Sequence, residues 1–184
     1  MQPNTTLSDV LTLRERARRH IEGGALTENY NADRETILRL LNEALATEIV
    51  CSLRYKRHYY TARGLASSAV AAEFLEHAHE EEDHAGRFAE RITQLGGEPD
   101  FSPDTLTARS HAEYVEGQTL QDMIREDLVA ERIAIESYRE TIQYIGSTDP
   151  TTRRLFEEVL AVEEEHADEL LSLIQQLGEP LAAG

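Results

Sequence analysis

The sequence predicts an all-α protein, an antiparallel four-helix bundle with one long crossover connection. Three observations carry this. Apolar residues recur at three- and four-residue spacing almost throughout the chain. Gly and Pro gather at a few points that leave long uninterrupted stretches between them. The second half of the chain also repeats the first.

The elements follow in order. A short extra N-terminal helix from about Leu7 to Ile21 is closed by Gly23 and Gly24, and a polar link through Asn29, Tyr30 and Asn31 leads onward. The first long helix spans roughly Asp33 to Thr61, and Gly64 then permits a tight reversal. The second starts near Ser67 or Ser68, both good N-cap residues, and ends at Gly96 and Gly97 before Pro99. The third runs from about Thr119 to Tyr144 and stops at Gly146; Asp149 followed by Pro150 then opens a fourth that reaches about Leu177. Short links at 62–66 and 146–149 make antiparallel hairpins. The stretch from Gly97 to Gln118 is long enough to bring the third helix in parallel to the second, and its middle, Asp104 to Val115, reads as a small helix of its own. The expected organisation is therefore an extension at 1–30, a bundle at 31–178 and a short tail at 179–184.

Composition removes several function classes. The chain has 184 residues, suited to one domain, and its apolar runs are far shorter than the roughly 20 residues a membrane helix needs. The opening MQPNTTLSDV has neither the basic start nor the apolar stretch of a signal peptide, so a soluble cytoplasmic protein is expected. Cys51 is the only cysteine, which excludes an internal disulfide and any centre needing several thiolates from one chain. A formal net charge of −17 opposes broad contact with nucleic acid or an anionic membrane. Arg14, Arg16, Arg18 and Arg19 are the local exception; they read as a solvated face, with DNA contact as the alternative.

The repeat carries the chemistry. Phe74–Gly96 aligns without gaps on Phe156–Gly178 with ten of 23 positions identical, among them Glu81/Glu163 and His84/His166. Upstream, Leu45/Leu128, Glu48/Glu131 and Tyr55/Tyr138 correspond, and the spacing from the upstream glutamate to the next is 33 residues in one half and 32 in the other. Each half thus supplies a glutamate on its first helix and a Glu-x-x-His on its second, where residues three apart share a face. Folded together, the halves aim Glu48, Glu81, Glu131 and Glu163 with His84 and His166 at one place. Six such groups buried together require compensating positive charge, and two divalent metal ions supply it. Carboxylate oxygens with imidazole suit iron or manganese, and the lack of thiolate speaks against structural zinc. A third Glu-x-x-His, Glu76–His79, has Ala161 opposite His79 in the repeat and reads as a solvated or subunit-facing pair.

With LNEALATE (41–48), EEEDHA (80–85), DLVAE (127–131) and LAVEEEHADEL (160–170), the chain resembles the bacterioferritin branch of the ferritin superfamily from about Asp33 to Leu177. The resemblance implies a ferritin-like fold and a ferroxidase centre of two iron ions per chain, manganese being possible, that oxidises Fe2+ with O2 or H2O2. It makes Glu48, Glu81, His84, Glu131, Glu163 and His166 the ligands, Glu81 serving mainly one metal and Glu163 the other, or either bridging. It matches Tyr55 to the tyrosine beside the metals, against the alternative of an ordinary core tyrosine. Bacterioferritins bind haem through a methionine inside the second helix's Glu-x-x-His; here that position is Glu82, so no haem is expected. Only Gly178–Gly184 follow the fourth helix, where 24-subunit ferritins carry a fifth, which favours a Dps-like dodecameric homo-oligomer over a 24-mer. Cys51 reads as buried filler. The rival readings are a di-iron peroxidase resembling rubrerythrin, a di-manganese catalase, and a DNA-protecting shell.

Overall fold

The computed structural model describes residues 7–63 and 67–178. The helices are α1 (Val10–Arg16), α2 (Arg34–Thr61), α3 (Ser67–Gln94), α4 (Leu106–Arg109), α5 (Leu120–Ile145) and α6 (Pro150–Gln176). The four long ones fall where sequence spacing places them. Their starts are set by side chains that accept the first free amides: Asp33 bonds the amide of Thr36, Asp149 that of Thr152 ahead of Pro150, and Thr119 and Asp122 cap each other reciprocally. Gly146, at φ 53°, closes α5 in the left-handed region. The reversal at Gly64 and the tail at 179–184 lie outside the described residues.

Two expectations need correction. The N-terminal helix covers only Val10–Arg16, followed by a 3-10 turn at Ile21–Gly23, rather than Leu7–Ile21. No residue of α1 is buried, and Arg14 and Arg18 would stack like charges one turn apart, so nothing extends it. The crossover helix is likewise only Leu106–Arg109, not 104–115. The chain beyond it is extended and held by α2: Thr47 accepts from the His111 amide at 3.0 Å, Arg54 donates to the Glu113 carbonyl at 3.0 Å, and Arg57 to that of Glu116 at 2.8 Å.

α2 packs chiefly on α3 and α5 on α6, and the hairpins meet through α2–α5 and α3–α6 contacts. The core divides into two main apolar clusters. One joins Leu41, Leu45, Phe88, Ile92, Tyr138 and Phe156; the other joins Tyr55, Phe74, Ala78, Ile124, Leu170 and Ile174. Going along α3 or α5 the second cluster comes first, and along α2 or α6 the first does. α3 and α5 therefore run parallel, as the long crossover requires. On all four helices the predicted site residue sits between the clusters. At the crossover end of α3, Gly97 leaves room for Leu38: a Cβ there would come within 2.5 Å of it.

No described helix is long and apolar enough to cross a membrane. Polar groups also join the hairpins within the core. Arg91 of α3 pairs with Asp149 at 2.9 Å and donates to Thr152 at 2.8 Å, and Tyr30 donates to Asp149 at 3.0 Å. Burial would raise the Asp149 carboxyl, but the bonds from Thr152 and the Arg91 charge hold it below its ordinary range. Asp149→Ala leaves Arg91 buried without its partner and removes the α6 cap, so urea denaturation of metal-free protein should show a loss of about 3 kcal/mol at neutral pH. Because the folded pKa is depressed, this contribution exists above the unfolded carboxylate value near 4 and disappears as pH falls through the folded value; the variant and wild type should converge in acid.

Candidate metal centre

Midway along the bundle, α2 contributes Glu48, α3 contributes Glu81 and His84, α5 contributes Glu131, and α6 contributes Glu163 and His166. All six are buried, none exceeding 3% exposure. They form two overlapping groups. Glu48, His84, Glu81 and Glu163 place ligand-capable atoms within 4.8 Å of one another, and so do Glu131, His166, Glu81 and Glu163. Glu81 and Glu163 belong to both. These two carboxylates thus stand at the middle of the cluster, with one further Glu and one His on either side.

Interatomic distances show the crowding. His84 Nδ1 lies 3.0 Å from Glu163 and 3.3 Å from Glu48, while His166 Nδ1 lies 3.5 Å from Glu81 and 3.6 Å from Glu163. These approaches do not make well-formed hydrogen bonds. Among the described residues, every buried side-chain polar atom without a hydrogen-bond partner belongs to these six residues, apart from Nε of Arg153. A folded core seldom leaves such atoms unpaired, and seven of them converge here. This donor set, all oxygen and imidazole nitrogen, fits two hard or borderline divalent ions.

The electrostatics agree. Burial and the neighbouring Glu81 charge push the Glu48 carboxyl up to about 8, and burial with Glu81 and Glu163 raises Glu131 well above the carboxylate range. Burial also works against ionisation of Glu81 and Glu163, but the nearby histidines and adjoining carboxyls bring both below the ordinary value. His84 and His166 are held protonated by the carboxylates despite burial, His166 up to about 12. Without metal, protons therefore serve as the cations. Two divalent ions would displace protons from this cluster.

Around the six stands a polar layer. Tyr55 donates to Glu131 and Tyr138 to Glu48, so the structure treats the two tyrosines as the repeat does, although sequence comparison singled out Tyr55. Two contacts escaped sequence reasoning. His77 lies against the His166 ring, centroids 4.0 Å apart and 19° from parallel, with Nδ1 3.2 Å from the Tyr55 hydroxyl and Nε2 2.9 Å from Glu169. Glu80 lies 2.8 Å from His166 Nε2. A readable signal existed: in the repeat both stand opposite valine, Val159 and Val162. Glu76 and His79 are exposed, as expected for a pair outside the site. A cleft of about 260 Å³ between α3 and α6, lined by Glu73, Glu76, Glu165 and Glu169, opens on the outer edge of His166.

Cys51 is buried and its thiol is pushed up by burial. Arg54, on the same helix, is held by Asp127 at 2.7 Å, and Asp127 also meets His58 at 2.8 Å.

Fold and site together define a carboxylate–histidine four-helix bundle of the kind built from two duplicated hairpins. The comparisons then place it: residues 38–179 match the ferritin-like domain, and the chain belongs to that family. A bacterioferritin of Desulfovibrio desulfuricans is 30% identical over 151 residues, covering 80% of each chain. The structure is similar to a dodecameric thioferritin, a bacterioferritin-related protein from Bacteroides fragilis, with TM-score 0.76, 28% identity, and 79% of this chain and 88% of that one covered. It is also similar to the Desulfovibrio desulfuricans bacterioferritin structure, described with its diiron site in different catalytic states, with TM-score 0.69, 27% identity, and coverage of 78% and 81%.

The raised Glu48 carboxyl gives a prediction with a definite sign. The unfolded chain loses this proton near pH 4.3 and the fold keeps it to about 8, so metal-free protein loses stability as pH rises through that window. Glu48→Gln has no such titration. It should melt above the wild type at pH 8 with little advantage at pH 5, and the order should reverse in excess Mn2+, which the variant binds less well.

Proposed function

We propose that the protein is a ferroxidase that takes up Fe2+, oxidises it at the intrachain centre and stores the ferric product within a homo-oligomeric shell. The observation that carries this is the convergence of seven unpartnered buried ligand atoms from four helices on one place. The related bacterioferritin, with its diiron site, and the bacterioferritin-related dodecamer support the same reading.

In this proposal Fe2+ is the substrate. Glu48 and His84 hold one ion, Glu131 and His166 the other, and Glu81 and Glu163 face both. Each ion loses one electron, so a pair reduces one H2O2, with two protons, to two waters, or one O2, with two protons, to H2O2. The chain's own part is to strip water from the ions, hold them side by side and accept the charge change. Tyr55 and Tyr138 fix one oxygen of each terminal carboxylate and leave the other directed inward. Manganese remains compatible with the donor set.

The ferritin-like unit is residues 31–178, with 1–30 as an extension. A dodecamer is favoured by the likeness to the Bacteroides fragilis protein, and the proposed setting is cytoplasmic. Haem has no place in this reading: Glu82, at the methionine position, is exposed and paired with Lys56. DNA contact through Arg14, Arg16, Arg18 and Arg19 is the lesser reading, opposed by the net charge of −17.

Anaerobic loading of the metal-free protein with Fe2+, followed by H2O2 or air, should give fast oxidation saturating near two irons per chain, then slower uptake into a particle of shell size on a sizing column. Glu81→Ala should remove the fast phase, slowing it about 100-fold or more. Oxidation that leaves no iron in the particle would instead favour a rubrerythrin-like peroxidase or a catalase.

A further inference from the structure

The repeat predicts two equal metal positions, but the structure surrounds them unequally. On the Glu131–His166 side, Glu80 meets His166 Nε2 at 2.8 Å and His77 stacks on the same ring at 4.0 Å. His77 also bonds the hydroxyl of Tyr55, which in turn holds Glu131, so one histidine braces both terminal ligands. Glu169 anchors it from outside at 2.9 Å.

The other side lacks all of this. Every polar contact of His84 among the described residues is made by Nδ1 and points into the centre. The counterparts of His77 and Glu80 are Val159 and Val162, which offer no hydrogen bond. Tyr138 still donates to Glu48, but its ring packs against Phe88 and Phe156, with centroids 5.9 and 5.4 Å away.

A carboxylate on the outer nitrogen of a ligating imidazole fixes the ring, sets which nitrogen faces the metal and strengthens the ligand; losing such a partner typically costs 10- to 100-fold in metal affinity. We propose that the two positions bind metal unequally, the Glu131–His166 position filling first, because Glu80 and His77 act as positioning residues on that side alone. The inference rests on the metal-binding reading of the site given above. It means that at limiting Fe2+ most chains hold a single ion, poised for a second at Glu48–His84.

The test is a titration of full-length metal-free protein with Co2+, which is not oxidised under these conditions, followed by calorimetry and by visible d–d absorbance. Wild type should show two stages, the first at least about 10-fold tighter. His166→Ala should remove the tight stage and His84→Ala the weak one. Glu80→Val, the residue type the repeat itself uses, should weaken the first stage about 10-fold or more and change its d–d spectrum, while Glu80→Gln, which still accepts from Nε2–H, should restore most of it. Glu80 is half-exposed, so these variants keep the fold; His77→Val should act in the same direction as Glu80→Val. Two equal stages, an unchanged first stage in Glu80→Val, or loss of the weak stage in His166→Ala would overturn the inference while leaving the metal site intact. No Co2+ uptake at all in wild type would overturn the metal-site reading itself.

Discussion

Four carboxyls and two imidazoles closed off from water at the middle of the bundle are the constraint on which the rest depends. Such a group cannot be buried as free charges, because desolvation alone would outweigh the stability of a domain this size. The fold meets the constraint in layers. Protons or metal ions balance the charge inside, tyrosine hydroxyls hold two of the carboxyls, and apolar clusters on both sides keep the centre dry. The two main core clusters are separate because this polar layer divides them.

The division costs stability, and compensation is found elsewhere. The aromatic group of Phe88, Tyr138 and Phe156 packs one side of the centre, and Tyr55 with Phe74 the other. Further out, buried ion pairs hold the hairpins in register: Arg91 with Asp149 at one end and Arg54 with Asp127 towards the crossover. Neither pair has a charged counterpart at the matching position of the other half. The duplication therefore explains the metal-binding frame, and departures from it explain the joints.

Most of the frame was legible because it obeys local rules. Caps at Asp33, Thr119 and Asp149 and the stop at Gly146 are short-range signals, and the six site residues stand out because the repeat preserves them at fixed spacing. What was not legible depends on tertiary context. The length of α1 could not be read because its apolar residues suggest a buried face that the fold does not provide. Likewise, Asp104–Val115 has helical composition, but the crossover spends most of it as extended chain bonded to α2. His77 was hidden for the opposite reason: it belongs to no motif, and its partners Tyr55, His166 and Glu169 lie 22, 89 and 92 positions away in sequence.

The crossover has a further consequence. A long non-helical connection on the outside of a bundle is usually the first place a protease cuts, since cleavage needs several residues to unfold into an extended strand. Here the Asp100 and His111 amides are held by Asn42 and Thr47, and the Glu113 and Glu116 carbonyls by Arg54, Arg57 and His58, all from a single helix. It behaves as a rib of α2 rather than as a loop. Nicking is thus directed away from it, towards the unburied stretch from Leu7 to Ala32, and a chain trimmed there would retain the whole of the centre.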